Sequence, residues 1–303
     1  MAPEIVAGSQ DAEQPRRIAV VGLGQMGFAM ALALRDAGWQ VVGFDASPTA
    51  RERATEELAV TEDFAGLAGV DTFLVSVPGA AHVRDVVSSV LTVSPGAVII
   101  DTTTSEPATS AELAQQANAV GSAFVDAPVS GGKSGARAGT LMAFVGGSVA
   151  DVARAQPVLD AIAAGKWRHL GAPGAGNVGK LVNNTLAAMN LVIAAEALAI
   201  GQQWGIAPAD LVDALNGASG RNAATEVNLP RWVLPETFDS GFTMALMVRD
   251  VNLALQTFQQ EGIVSPVTEL VVNRWNEAAQ QLAPGDDFNR VVPVLAAAAR
   301  GNS

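Results

Sequence analysis

The sequence predicts an α/β protein whose first part is a doubly wound parallel sheet and whose second part is all-helical. Three observations carry that reading. Short β-rich runs alternate with helical stretches over the first half of the chain, a glycine-rich turn follows the first run directly, and strand runs stop after Gly171-Ala-Pro-Gly-Ala-Gly176. The 303 residues suit two domains and are ample for a sizeable core.

In order, Ile18–Val21, Gln40–Phe44, Thr72–Val77, Ala97–Ile100, Ala123–Val125 and Leu141–Val145 read as strands. The first four are nearly continuously apolar, as expected of parallel strands covered on both faces. Phe28–Ala37, Ala80–Leu91 and Glu106–Ala119 read as the helices between them. From Asn177 to about Trp204 the pattern predicts one long interdomain helix. Shorter helices follow near Pro208–Leu215, Met244–Glu261, Pro266–Leu282 and Phe288–Ala299, with prolines where helices begin or end. The expected organisation is a flexible segment over residues 1–15, a dinucleotide-binding domain over 16–172, and a helical substrate and oligomerisation domain over 173–303.

Composition removes whole mechanisms. There are no cysteines and no tyrosines, two histidines (His82, His169) and three lysines (Lys133, Lys166, Lys180). Thiol nucleophiles, thiolate metal sites and a tyrosine acid are excluded, and no Gly-x-Ser-x-Gly elbow accompanies either histidine. No metal site is expected. The net charge of −12, with both halves acidic, argues against a nucleic-acid partner. Residues 1–15 lack the basic start and apolar stretch of a secretion signal, so the expectation is a cytoplasmic protein. The apolar region Leu186–Ile200 is interrupted by Asn190 and Glu196, so no membrane partner is expected.

Gly22-Leu23-Gly24-Gln25-Met26-Gly27 follows a strand and opens a helix, the context that gives a G-x-G-x-x-G turn its meaning. Gly22 permits the tight turn, Gly24 lets backbone approach a pyrophosphate, and Gly27 lets helix pack on strand. The domain is therefore expected to be of the Rossmann type. Asp45, 21 residues after Gly24, ends the second strand. A carboxylate there accepts from ribose hydroxyls and repels a 2′-phosphate, which points to NAD rather than NADP.

Lys180 and Asn184, spaced i and i+4, project from one face of the long helix near its N-terminus. The helix terminus, desolvation in a cleft and a positive nicotinamide would each depress the lysine pKa, fitting it to take a proton from an alcohol. A solvated helix lysine with an asparagine neighbour is the plain alternative. Ser130-Gly131-Gly132 follows a strand and offers backbone N–H groups and a hydroxyl to an anion. Thr103-Thr104 places hydroxyls at the carboxyl edge of the sheet, where ligands of open α/β sheets bind.

Together these residues resemble the 3-hydroxyisobutyrate dehydrogenase, or β-hydroxyacid dehydrogenase, family over residues 16–300. The phosphate loop with Met26 and Met30 is similar to that family's Gly-Leu-Gly-x-Met-Gly-x-x-Met opening. Asp126 to Gly132 resembles its substrate loop, and Gly176 to Asn184 its Gly-x-x-x-Lys-x-x-x-Asn. The resemblance implies an NAD-dependent oxidation of a small β-hydroxy acid, with Lys180 catalytic and Ser130, Gly131, Gly132 and Asn184 around the substrate. It also implies cofactor contacts at Val77-Pro78, Thr104 and the Arg249-Asp250 region. His82 is read as a cofactor contact or a helix cap, and Arg221 as a further substrate contact or one end of an inter-helix salt bridge; the apolar helical domain leads to the expectation of a homodimer or homotetramer. This chain departs from the family in having Val77 for leucine, His82 where many members have asparagine, Thr103 for serine and Arg249 for lysine. Imine reductases resemble the same fold but usually carry Asp or Tyr at the lysine position. A 6-phosphogluconate-type enzyme would need a longer helical region and more phosphate-binding cations. A non-catalytic NAD-binding sensor is the rival from another class.

Overall fold

The computed structural model describes residues 16–301, so the segment 1–15 expected to be flexible lies outside the described residues. The sheet domain begins with β1 (Arg17–Val21), α1 (Gln25–Asp36), β2 (Gln40–Phe44), α2 (Pro48–Ala54), β3 (Ala59–Val60) and β4 (Thr72–Val75). It continues through α3 (Ala80–Val93), β5 (Val98–Asp101), α4 (Pro107–Asn118) and β6 (Ala123–Asp126). β7 (Val129–Ser130), α5 (Gly132–Ala138), β8 (Met142–Gly146), α6 (Val149–Ala163) and β9 (Trp167–Gly171) complete it.

The strand order is β3-β2-β1-β4-β5-β6-β8-β7, with β9 paired to β8. The strands from β3 to β6 are all parallel, and the order in which the chain adds them reverses between β1 and β4, the point at which open sheets of this order form their ligand crevice. The sheet is not parallel throughout, as the sequence had suggested. β8 lies antiparallel to β6 and β7, because the chain turns back through β7 and α5 instead of crossing over a long helix. Alternate residues of β1 feed opposite faces. Ile18 and Val20 join the core beneath α1 and α6, while Ala19 and Val21 join the one beneath α3 and α4.

Sequence patterning missed α5, α6 and β9. α6 carries Pro157 within its span, and β9 reads Trp-Arg-His-Leu-Gly, whose polar residues stand on an exposed edge. Elements seen in both readings differ mainly at their ends. α1 starts three residues earlier than expected, directly after Gly24, which serves as its N-cap without a side-chain hydrogen bond.

The helical domain consists of α7 (Ala175–Gln203), α8 (Pro208–Asn216), a π-helical stretch (Ala224–Val233), α9 (Met244–Gln260), α10 (Pro266–Ala279) and α11 (Val291–Ala299). Pro230, which has no N–H to donate, lies inside the π-helical stretch. Trp275 is fully buried at the centre, stacked on Phe288, with its indole N–H donating to the Ala188 carbonyl of α7. α7, at 29 residues, is long and apolar enough to cross a bilayer, more than the interrupted stretch Leu186–Ile200 suggested. The structure uses it as a core helix, with more than half of its most apolar window buried inside the protein. Its first turns rest on the sheet domain, and its remainder packs against α9, α10 and α11.

Candidate active site

The phosphate loop has the shape that its glycines require. Gly22 has φ +95°, and a β-carbon there or at Gly27 would run into backbone, the Ser76 carbonyl in one case and the Gly22 carbonyl in the other. Around Gly24 there is nothing within 4 Å of an added β-carbon. That open space faces the uncapped N-terminus of α1, so the residues present fit a dinucleotide whose diphosphate meets unpaired amides. Gln25 is exposed and Met26 half-buried at this opening. Leu23 is fully buried, its side chain packed beneath Gly43 of β2, so only its backbone can face a cofactor.

Asp45 lies one residue beyond β2, and its carboxylate already holds two amides, Leu23 N at 2.7 Å and Ser47 N at 2.8 Å. It therefore stitches the phosphate loop to the strand end, with lone pairs left for ribose hydroxyls. Arg51 and Arg53 stand on α2. Arg51 donates to the Asp45 and Ala46 carbonyls, and Arg53 to the Leu23 carbonyl.

The second part of the site gathers where the carboxyl edges of β4, β5 and β6 meet α7 and α9. Val77 N–H donates to Thr103 Oγ1, which ties the loop after β4 to the loop after β5. Thr104 is half-buried in that second loop, and the next residue, Ser105, donates its N–H to Asn177 Oδ1 at 2.8 Å. Asn177 is fully buried on the first turn of α7 and also donates to Ser110 Oγ of α4. Nothing in the sequence singled it out, because its partners lie 67 and 72 residues away.

Asp126 has a different task from the one its motif suggested. Its side chain does not face the Ser130 loop. It is fully buried at the end of β6, and its two oxygens accept from Gly174 N and Asn177 N, each at 2.8 Å. A carboxylate from the sheet thus caps α7 and fixes the turn that precedes Lys180. Gly146 and Gly176 leave room for it, since a β-carbon at either would collide with Asp126. Burial raises the Asp126 carboxyl above its usual range, opposed by those backbone amides. Asp101, its register partner on β5, is pushed up to about 7, first by burial and further by Asp126.

Lys180 and Asn184 are both buried on the same face of α7. Burial brings the Lys180 ammonium down to about 8; Asp250 of α9 opposes that shift and Arg249 adds to it. Desolvation leads, as the reading of a cleft lysine expected. Asn184 Nδ2 donates to Asp250 Oδ2 at 2.7 Å, while Arg249 occupies Asp250 Oδ1. Arg249 also reaches the Pro78 carbonyl at 2.7 Å.

Of the remaining residues, Ser130 is half-buried, and Gly131 and Gly132 are exposed at the start of α5 with φ of +132° and +63°. The Ser240 carbonyl of the helical domain lies over Gly132, 3.9 Å from where its β-carbon would be. His82 is exposed on the first turn of α3 and does not cap it. Arg221 is not brought to Lys180 within this chain. It is exposed, and its neighbours Gly220 and Asn222 line a groove with Ile193, about 20 Å of helix from Lys180.

Comparison with known proteins bears on this arrangement. A family model described as the NAD binding domain of 6-phosphogluconate dehydrogenase matches residues 17–180. A second, described as the NAD-binding of NADP-dependent 3-hydroxyisobutyrate dehydrogenase, matches residues 174–295. A 3-hydroxyisobutyrate dehydrogenase from Pseudomonas aeruginosa is 36% identical, over 90% of this chain and 96% of its own. A 2-(hydroxymethyl)glutarate dehydrogenase from Eubacterium barkeri is 33% identical, over 93% of this chain and 95% of its own. The structure of the Mycobacterium tuberculosis 3-hydroxyisobutyrate dehydrogenase with L-serine superposes with a TM-score of 0.86 at 33% identity, covering 93% of this chain and 99% of that one.

Proposed function

The chain belongs to the 3-hydroxyisobutyrate dehydrogenase family of NAD-binding hydroxy-acid dehydrogenases, and from that premise we propose that it reversibly oxidises the hydroxyl of a small β-hydroxy acid to a semialdehyde or ketone, with Lys180 as base. The observation that carries this reading is a buried lysine with its pKa lowered to about 8, on the face of α7 that also presents Asn184. Such an amine is neutral often enough near neutral pH to take the hydroxyl proton, and its ammonium can return that proton in reduction. Asn184 orients the substrate hydroxyl, its amide being held by Asp250. Ser130 and the amides of Gly131 and Gly132 receive the carboxylate. NAD, held by the Gly22–Gly27 loop and Asp45, supplies the hydride acceptor. Asp45 favours NAD over NADP by repelling a 2′-phosphate. Self-association is part of the same reading, supported by exposed Val178, Val182, Leu186, Ile193 and Ile200 along α7.

The test is a panel of acids followed by NADH absorbance: 3-hydroxyisobutyrate, 2-(hydroxymethyl)glutarate, L-serine and glycerate, with a cyclic imine and NADPH as the contrasting arm. Turnover of at least one acid is expected, and Lys180→Met should lower kcat by roughly 10²–10⁴-fold with NAD affinity retained. Because oxidation needs the neutral amine, its rate should rise with pH through about 8, while reduction, which needs the ammonium, falls over the same range. Wild-type turnover in Lys180→Met, or turnover of the imine alone, would overturn the reading.

A further inference from the structure

Arg249 is the point at which this chain replaces the family's lysine, and the structure shows what a planar fork does there that a single ammonium cannot. Nε and Nη2 both donate to Asp250 Oδ1, at 2.9 and 2.7 Å, while Nη1 donates to the Pro78 carbonyl at 2.7 Å. Pro78 lies in the loop that leaves β4, at the switch point of the sheet. Arg249 and Asp250 lie on α9, and the two partners of this bridge are 171 residues apart in sequence. Asp250 is almost fully buried, and its second oxygen takes the Asn184 amide. The hydrogen bonds thus run unbroken from the loop after β4, through Arg249 and Asp250, to the helix face that bears Lys180. A lysine could meet either Asp250 or the Pro78 carbonyl, but its one nitrogen has no fixed geometry for both.

We propose that Arg249 is a positioning residue, a clasp that holds the Val77-Pro78 loop against α9 before the dinucleotide arrives and fixes the Asn184 amide, whose oxygen accepts from Asn183 Nδ2 at 3.1 Å and keeps its second lone pair for the substrate. The second half rests on the reaction proposed above; the first half does not, because it concerns cofactor binding alone. Pre-ordering the loop spares the cofactor the entropy of ordering it, so the clasp acts on NAD affinity. The cation also acts on Lys180, whose charged influences are Asp250 and Arg249, both from α9.

The fork and the charge separate experimentally through Arg249→Lys and Arg249→Met. Calorimetric titration with NAD, which needs no turnover, should give a Kd raised about tenfold in both variants, as the loss of a charge-assisted hydrogen bond implies. In the pH profile of kcat/KM for the best acid of the panel, Arg249→Lys should keep the limb near 8, and Arg249→Met should move it upward. An NAD Kd in Arg249→Lys equal to that of the wild type would overturn the clasp, as would a fall in Tm in both variants with Kd unchanged. If no acid were turned over, the proposed reaction would fail while the titration still decided the clasp.

Discussion

A β-carbon added at Gly24 would meet no protein atom within 4 Å, whereas one at Gly27 would strike the Gly22 carbonyl three residues after the same turn. The two glycines of one motif therefore meet different demands, open space at the helix terminus in one case and close packing in the other. Gly24→Ala is expected to unfold at the wild-type temperature yet bind NAD at least tenfold more weakly. Gly27→Ala should be destabilised by about 1–3 kcal/mol, the usual cost of overpacking. Thermal unfolding with and without NAD distinguishes them; a destabilised Gly24→Ala would mean that the open space is not a ligand's. At this scale much was legible from sequence. Lys180 stood out because only three lysines exist, and its i+4 partner Asn184 came with it. Asp126 and Asn177 were not legible in their roles. Their hydrogen-bond partners lie between 48 and 72 residues away, and no local pattern shows which polar residues will be buried together.

Among the elements, α7 concentrates the most function. Its first turn is held by a carboxylate from β6 and by the N–H of Ser105, on the loop after β5, which donates to Asn177 of that turn, so Lys180 is referred to the sheet and not to the helical domain alone. Asp126→Ala would leave the amides of Gly174 and Asn177 buried without an acceptor. A loss of about 2–4 kcal/mol is expected by denaturant unfolding, since each such orphan costs about 1–3 kcal/mol. Turnover should fall as well, because the turn before Lys180 loses its anchor. A variant as stable as the wild type would mean that water replaces the carboxylate. The long helix itself was evident from its apolar length. α6 and β9 were not, because a mid-helix proline and an edge strand rich in polar residues both imitate loops.

For the molecule as a whole, the division into a sheet half and a helical half followed from the change of rhythm near Gly171–Gly176. The way the halves touch did not, since it depends on cross-chain pairs such as Arg249 with Pro78 and Asn177 with Ser105. Large apolar side chains stay exposed at spacings of four and seven residues down α7, from Val178 to Ile200. Self-association should cover them, so light scattering is expected to give a mass that is a multiple of 30.9 kDa. Leu186→Asp should reduce that mass, and a wild-type monomer would refute the expectation. The Asp45 stitch, finally, bears on protein engineering. Any attempt to convert the enzyme to the phosphorylated dinucleotide would start at the Asp45 carboxylate, the group proposed to repel a 2′-phosphate. That carboxylate also anchors the Leu23 amide, so a plain alanine there would slacken the cradle meant to receive the new cofactor. Serine or asparagine, each of which retains an acceptor, is the replacement from which such a redesign should begin.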